Sequence, residues 1–253
     1  MIKLLLKLST RVFGKNVNLG FLKFLSSLSR KFAFKTHELQ FKYEWGTPPT
    51  PEWFDHFCDQ FYLFRFMQNP LWVERGTFNL LAIKNDADIL ELCCGDGYNT
   101  YHFYSIRAKN IISVDFDSTA INHAKKHNQA KNIQFKLRDI RTQIPEGKYD
   151  NVLWDAGIAH FTEVEIVLIM ENIKNRLKIA GILSGYTIVE RVEGKSLAQH
   201  EYEFKSKEDL KRFFEPHFKN IKVFETIYPS RHNLYFWASD GVLPFDKEWE
   251  MMI

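Results

Sequence analysis

Residues 89–100 read Ile-Leu-Glu-Leu-Cys-Cys-Gly-Asp-Gly-Tyr-Asn-Thr. A short apolar run, Ile89–Leu92, stops at a turn carrying Gly95 and Gly97, and from Tyr98 the spacing becomes helical. This is a strand running through a glycine turn into a helix, the place where open α/β sheets bind ligands at the carboxyl ends of their strands. Gly95 and Gly97 remove side chains, so a ligand can approach the backbone closely. Only G-x-G is present, and the third glycine of the dinucleotide fingerprint is missing, which argues against a nicotinamide cofactor.

Outward from this turn, apolar runs and helical segments alternate. Strands are expected at Ile89–Leu92, Ile111–Val114, Ile133–Leu137, Asn151–Trp154, Ile182–Val189, Ile221–Ile227 and Leu234–Ala238. Helices are expected at Tyr98–Arg107, Thr119–Gln129, Glu163–Ile179 and Lys207–Phe214. Such alternation gives an α/β protein with a mainly parallel sheet covered on both faces. The last two runs have no helix between them and read as an antiparallel pair.

Three acids close three successive strands. Asp115, about twenty residues beyond the glycine turn, is placed to accept hydrogen bonds from ribose hydroxyls. Its alternative role as a helix cap suits Asp117 or Ser118 better. Asp139, in Leu-Arg-Asp-Ile (137–140), is placed to meet an adenine amino group. Asp155 ends the fourth strand.

With these residues in order, residues 88–240 resemble the class I S-adenosylmethionine-dependent methyltransferases. Glu-Leu-Cys-Cys-Gly-Asp-Gly (91–97) resembles their first motif, with Cys93 where many members have a glycine. The resemblance implies a Rossmann-like doubly wound sheet, mainly parallel with an antiparallel final strand, and S-adenosylmethionine as cofactor. It implies Glu91, Cys93, Gly95 and Gly97 near the amino acid end of the cofactor and Asp115 and Phe116 at the ribose. Asp139 and Ile140 would then frame the adenine. Tyr149–Phe161 resembles the fourth motif, whose loop lies between cofactor and substrate.

Methyl transfer from a sulfonium is an in-line displacement, so the protein mainly positions the acceptor and excludes water. A base is needed only where the acceptor must lose a proton. His160 is the first candidate, against a packing role in its loop, and Asp155 is placed to orient the substrate or bind the cofactor's ammonium group. His200, Arg231 and Trp45 are expected to face the substrate, with His232 beside Arg231. A catechol-type metal site would need acids where Ser184, Gly185 and Tyr186 stand, so the reaction is read as metal-independent. The expected acceptor is an oxygen or nitrogen of a small molecule or glycan precursor. An aminopropyltransferase using the decarboxylated cofactor, or a non-catalytic cofactor-binding module, are the alternatives.

The remaining segments frame this domain. Residues 1–42 carry nine Lys or Arg against the single acid Glu38, whereas acids exceed bases in the rest of the 253-residue chain. The spacing of Ile2, Leu5, Leu6, Val12 and Phe13, then of Phe21, Phe24, Leu25, Leu28 and Phe32, predicts two short basic amphipathic helices broken at Gly14. They are read as packing on the body, on a partner subunit, or on an anionic membrane surface. Nucleic acid is not an expected partner, because no further basic–aromatic motif follows. Residues 43–87 are expected to form an aromatic-rich cap with helices at Glu52–Met67 and Leu71–Ile83, entered through the proline-rich Tyr43–Pro51, and residues 241–253 a tail. Cys58, Cys93 and Cys94 form neither a disulfide framework nor a zinc spacing, which fits a cytoplasmic protein.

Overall fold

The computed structural model describes residues 10, 14–45, 71–192, 194–229 and 231–245. The chain divides into two compact units, residues 1–66 and 67–253. The boundary falls inside the segment read as a cap, so the helix at Leu71 belongs to the sheet unit.

In the first unit one helix, α1 (Lys15–Trp45), spans 31 residues. Gly14 precedes it with φ 80°, and its N–H donates to the Thr10 carbonyl at 3.1 Å. Gly14 therefore does end a turn, but the second basic run is not a short helix. It is the middle of α1, which also continues into the start of the Tyr43–Pro51 segment. Val17, Phe21, Phe24, Leu28, Phe32 and Leu39 recur at helical spacing and are all exposed. They form an apolar stripe about 100° wide. Residues 1–9, the expected helix Glu52–Met67 and the Trp45 side chain lie outside the described residues.

The second unit begins with α2 (Leu71–Ala82) and β1 (Ala87–Leu92). Next come α3 (Tyr98–His102), a 3-10 turn at Tyr104–Ile106, β2 (Ala108–Asp115), α4 (Ser118–His127) and β3 (Ile133–Leu137). β4 (Tyr149–Asp155) leads through a 3-10 turn at Ile158–His160 to α5 (Glu163–Arg176) and β5 (Leu177–Ile188). α6 (Lys207–Lys211), β6 (Asn220–Tyr228) and β7 (Arg231–Ser239) complete it.

The seven strands lie in the order β3-β2-β1-β4-β5-β7-β6, and β7 runs antiparallel to both of its neighbours. Both faces are covered. Leu90, Leu92, Val152 and Trp154 point to a core shared with Ile166, Met170 and Ile173 of α5. Ile89, Ile111 and Leu153 point to the opposite core, with Leu80 of α2 and Ile121 of α4. Side chains alternate along a strand, so residues buried on both faces make the continuous apolar runs seen in the sequence.

Local chemistry sets the helix ends. Asp117, not Asp115, caps α4 by accepting from the Thr119 N–H at 2.7 Å. Thr162 and Glu165 form a capping box on α5, a device worth about 1 kcal/mol. Helix α5 stops three residues earlier than expected because Leu177 already pairs with Tyr149. The strand then bulges through Ala180, at φ 58°, before its register resumes at Ile182 opposite Asn151.

The chain order reverses between β1 and β4. The carboxyl ends of these two strands open the crevice where ligands of such sheets sit.

Candidate active site

The turn after β1 is held in a shape few side chains tolerate. Cys93, Gly95 and Gly97 have φ of 58°, 55° and 74°. For Cys93 this left-handed conformation costs roughly 1–2 kcal/mol. The turn is fixed by the Cys94 N–H on the Val114 carbonyl at 3.0 Å and the Asn128 amide on the Asp96 carbonyl at 2.8 Å. A Cβ on Gly97 would lie 2.5 Å from Phe135, so only glycine lets α3 start this close to β3. A Cβ on Gly95 would meet nothing within 4 Å, so the turn presents bare backbone to open space.

Glu91 does not face that space. It is 2 % exposed, and its Oε2 lies 2.6 Å from the hydroxyls of both Thr100 and Ser113. Burial raises its pKa to about 8 against those two hydrogen bonds. Glu91 thus ties β1 to β2 and α3 from beneath the turn. Asp115 stands at the rim of the turn. Its carboxylate takes the Gly95 N–H and the Asp117 N–H, each at 2.9 Å. Burial raises its pKa, and those backbone N–H groups oppose the shift. Phe116 beside it is 68 % exposed, an apolar ring offered to solvent.

Asp139 and Ile140 divide. Ile140 is buried, whereas the Asp139 carboxylate is gripped by its neighbour Arg141 at 2.7 Å. The Arg141 hydrogen bonds hold its pKa below the ordinary value.

At the end of β4, Asp155 is engaged by a residue the sequence did not single out. Arg75 of α2 donates from Nε and Nη2 to its carboxylate, the shorter contact being 2.8 Å. Both side chains are almost fully buried. Asn99 Nδ2 at 3.0 Å and the Tyr104 hydroxyl at 3.3 Å donate to the same carboxylate. Asp155 therefore anchors α2 and α3 to the sheet, mainly through Oδ2. The Arg75 guanidinium also lies over the Tyr186 ring at 4.8 Å, and Arg231 donates to the Tyr186 hydroxyl at 2.9 Å. Glu74 gathers the hydroxyls of Thr226, Tyr235 and Tyr228, tying α2 across β6 and β7. His232 turns away to Glu225 at 3.0 Å.

His160 ends the 3-10 turn after β4, half-exposed and within electrostatic reach of Asp115. Its Nδ1 lies 3.3 Å from the Gln199 carbonyl. A carbonyl only accepts, so Nδ1 carries the proton in this contact, and in the neutral ring Nε2 is the acceptor. His200 does not face a substrate as expected. It is 3 % exposed, hydrogen-bonded to Glu203, and its ring meets His160 edge-on at 4.8 Å.

These residues fit S-adenosylmethionine. Asn99 Nδ2 must donate to the Asp155 carboxylate, which fixes the orientation of the amide. Its Oδ1 is then a buried acceptor with no partner, an unpaired group of the kind that asks for a donor. An ammonium supplies one. The open face at Gly95 admits the ligand's backbone contact, and Asp115 retains lone pairs for ribose hydroxyls. Missed by sequence reading were Arg75, Asn99, Tyr104 and Glu203. Only the spacing of His200 and Glu203 in His-Glu-Tyr-Glu-Phe carried a signal.

Comparison with known proteins agrees with this geometry. A family model described as a methyltransferase domain matches residues 83–223, more than half of the chain. A malonyl-[acyl-carrier protein] O-methyltransferase of Bacillus anthracis is 29 % identical over 159 residues, covering 56 % of this chain. The chain spans 58 % of that relative's length. Among solved structures, the N-methyltransferase NodS of Bradyrhizobium japonicum WM9 in complex with S-adenosyl-L-homocysteine superposes with TM-score 0.55 at 14 % identity, over 69 % of this chain and 89 % of that one. The DhpI–SAH complex gives 0.53 at 19 % identity, over 70 % and 86 %. At these identities the structures speak for the fold. The glycine turn, the strand order with its antiparallel β7 and the match across residues 83–223 place this chain in the methyltransferase-domain family.

Proposed function

We propose that the protein methylates an oxygen or nitrogen of a small-molecule or glycan-precursor acceptor without a metal, with His160 as the base. The observation that carries this reading is the His160–Gln199 contact, which leaves Nε2 as a proton acceptor beside the cofactor turn. S-adenosylmethionine supplies an activated methyl group on a sulfonium. Asp115 and the backbone at Gly95 would hold the cofactor, Asn99 Oδ1 would accept from its ammonium, and the Arg75–Asp155 pair fixes α2 beside the site. His160 Nε2 takes the proton that the acceptor loses as the new bond forms, a contribution of about 10²–10⁴-fold where deprotonation is required.

The test is transfer of labelled methyl from S-adenosylmethionine to a small-molecule extract, with wild type and His160→Gln compared. Loss of at least a hundredfold in the variant, at unchanged S-adenosylhomocysteine affinity, supports the base. A second reading follows the Bacillus anthracis relative, whose name specifies a malonyl acceptor. A carboxylate needs no base, and Arg231 beside Tyr186 favours such an anion. Undiminished transfer by His160→Gln, together with loss in Arg231→Ala, would decide for that reading. The exposed apolar stripe of α1, with Lys31 at its edge and Lys35 within it, supports a peripheral contact with anionic membrane.

A further inference from the structure

The segment between β5 and α6 contains a buried charge that the cofactor site does not use. Glu203 is 6 % exposed, on a stretch that has no regular secondary structure. Its Oε1 accepts from the Ser196 N–H at 2.7 Å, from the Leu197 N–H at 3.4 Å and from His200 Nδ1. Its Oε2 is buried with no partner. The hydrogen bonds that this carboxylate makes, all through Oε1, go to residues 196–200.

Those contacts wind the segment into a tight turn. The His200 N–H returns to the Leu197 carbonyl at 3.2 Å, and Lys195 Nζ clamps the His200 carbonyl at 2.7 Å. The turn is fastened to the one bearing His160, because the N–H groups of Glu201 and Tyr202 both donate to the Ala159 carbonyl, at 2.8 and 3.2 Å. The result brings the Gln199 carbonyl to His160 Nδ1 and sets the His200 ring edge-on against the His160 ring.

We infer that Glu203 and His200 form a positioning pair that selects the Nδ1-protonated tautomer of His160 by aiming the Gln199 carbonyl at its ring. This inference rests on the reading of His160 as a base only for its purpose, since the tautomer itself is observable without turnover. Neither Glu203 nor His200 touches the reacting atoms. They act through Gln199, as a group behind a general base sets which nitrogen faces the substrate. The charged and titratable groups near His160 from each adjoining element are Asp115 at the end of β2 and His200 and Glu203 on this segment.

The experiment is a long-range ¹H–¹⁵N histidine spectrum of the full chain saturated with S-adenosylhomocysteine, with His160 assigned by comparison with His160→Gln. The wild type is expected to show His160 protonated at Nδ1, with Nε2 bare. In Glu203→Ala and His200→Ala this preference should fall to a mixture of tautomers, and Glu203→Asp should restore part of it. Tm and S-adenosylhomocysteine affinity, recorded on the same samples, separate this effect from unfolding. If a variant does not fold, His200→Asn serves as the milder substitution. An unaltered tautomer in folded variants, or a wild-type His160 protonated at Nε2, would overturn the inference. A tautomer that follows the prediction while His160→Gln retains methyl transfer would overturn only the base assignment.

Discussion

Arg75 and Asp155 stand eighty residues apart in the chain and meet in a buried ion pair, guanidinium to carboxylate at 2.8 Å. Removing one partner of such a pair leaves the other charge buried, at a cost of about 3–5 kcal/mol. Asn99 and Tyr104 still donate to Asp155, so Arg75→Met is expected at the lower end, about 3 kcal/mol in urea unfolding. The double variant Arg75→Met/Asp155→Leu should unfold closer to wild type than either single one. Additive losses would show that the two residues act independently.

Glu91 predicts a pH dependence. The carboxyl titrates at about 8 in the folded chain and near 4.5 when unfolded. Between those values the folded protein holds a proton that the unfolded chain has released, so the stability from this residue is complete below pH 4.5 and falls as pH rises through 8. The loss amounts to a few kcal/mol across the window. In Glu91→Gln the unfolding free energy should decline less between pH 5 and 8.5 than in wild type. Parallel curves for the two proteins would reject the assignment.

Cofactor affinity tests the turn. Gly95→Val adds a side chain that meets no protein atom, so the fold should survive with a loss of roughly 1–2 kcal/mol from the left-handed backbone. The same side chain stands in the space meant for the ligand, and S-adenosylhomocysteine affinity measured by calorimetry should fall at least tenfold. Asp115→Asn exchanges charged for neutral acceptors and should weaken binding roughly ten- to a hundredfold. Wild-type affinity in both variants would move the cofactor elsewhere.

Vesicle sedimentation addresses α1. The full chain should sediment with vesicles containing anionic phospholipid and not with zwitterionic ones, and high salt should release it. Phe24→Glu/Phe32→Glu should abolish the sedimentation and leave S-adenosylhomocysteine binding intact. A wild-type dimer that these substitutions dissociate, without any vesicle binding, would assign the stripe to a second copy of the chain.

The sheet was legible because its information is local. Strands buried on both faces announce themselves as apolar runs, and the glycines at 95 and 97 mark a turn that nothing else fills. Asp115 could be read for the same reason, since its place follows from strand length. Pairings across the chain were not legible. Nothing near Arg75 points to Asp155, because the ion pair exists only once α2 lies across β4. Asp155 was accordingly given a ligand's role, with no sign of the Arg75, Asn99 and Tyr104 side chains that meet its carboxylate. Glu91 and His200 are both buried: sequence marks a polar residue near a site, but not whether its side chain turns inward. Cys93 shows the converse, a residue that looks wrong for its position yet adopts a left-handed φ of 58°, the region glycine favours.

The turn wound by Glu203 has a bearing on how this enzyme can diverge. Residues 195–204 both hold the His160 ring and bridge β5 to α6, so a change in the length of this connection reaches the histidine. A lineage that lengthened this stretch to admit a bulkier acceptor would disturb the histidine tautomer in the same event. Changes at Arg231, on β7, leave the Gln199–His160 contact in place, whereas Glu74 and Tyr228 are committed to holding α2 against β6 and β7.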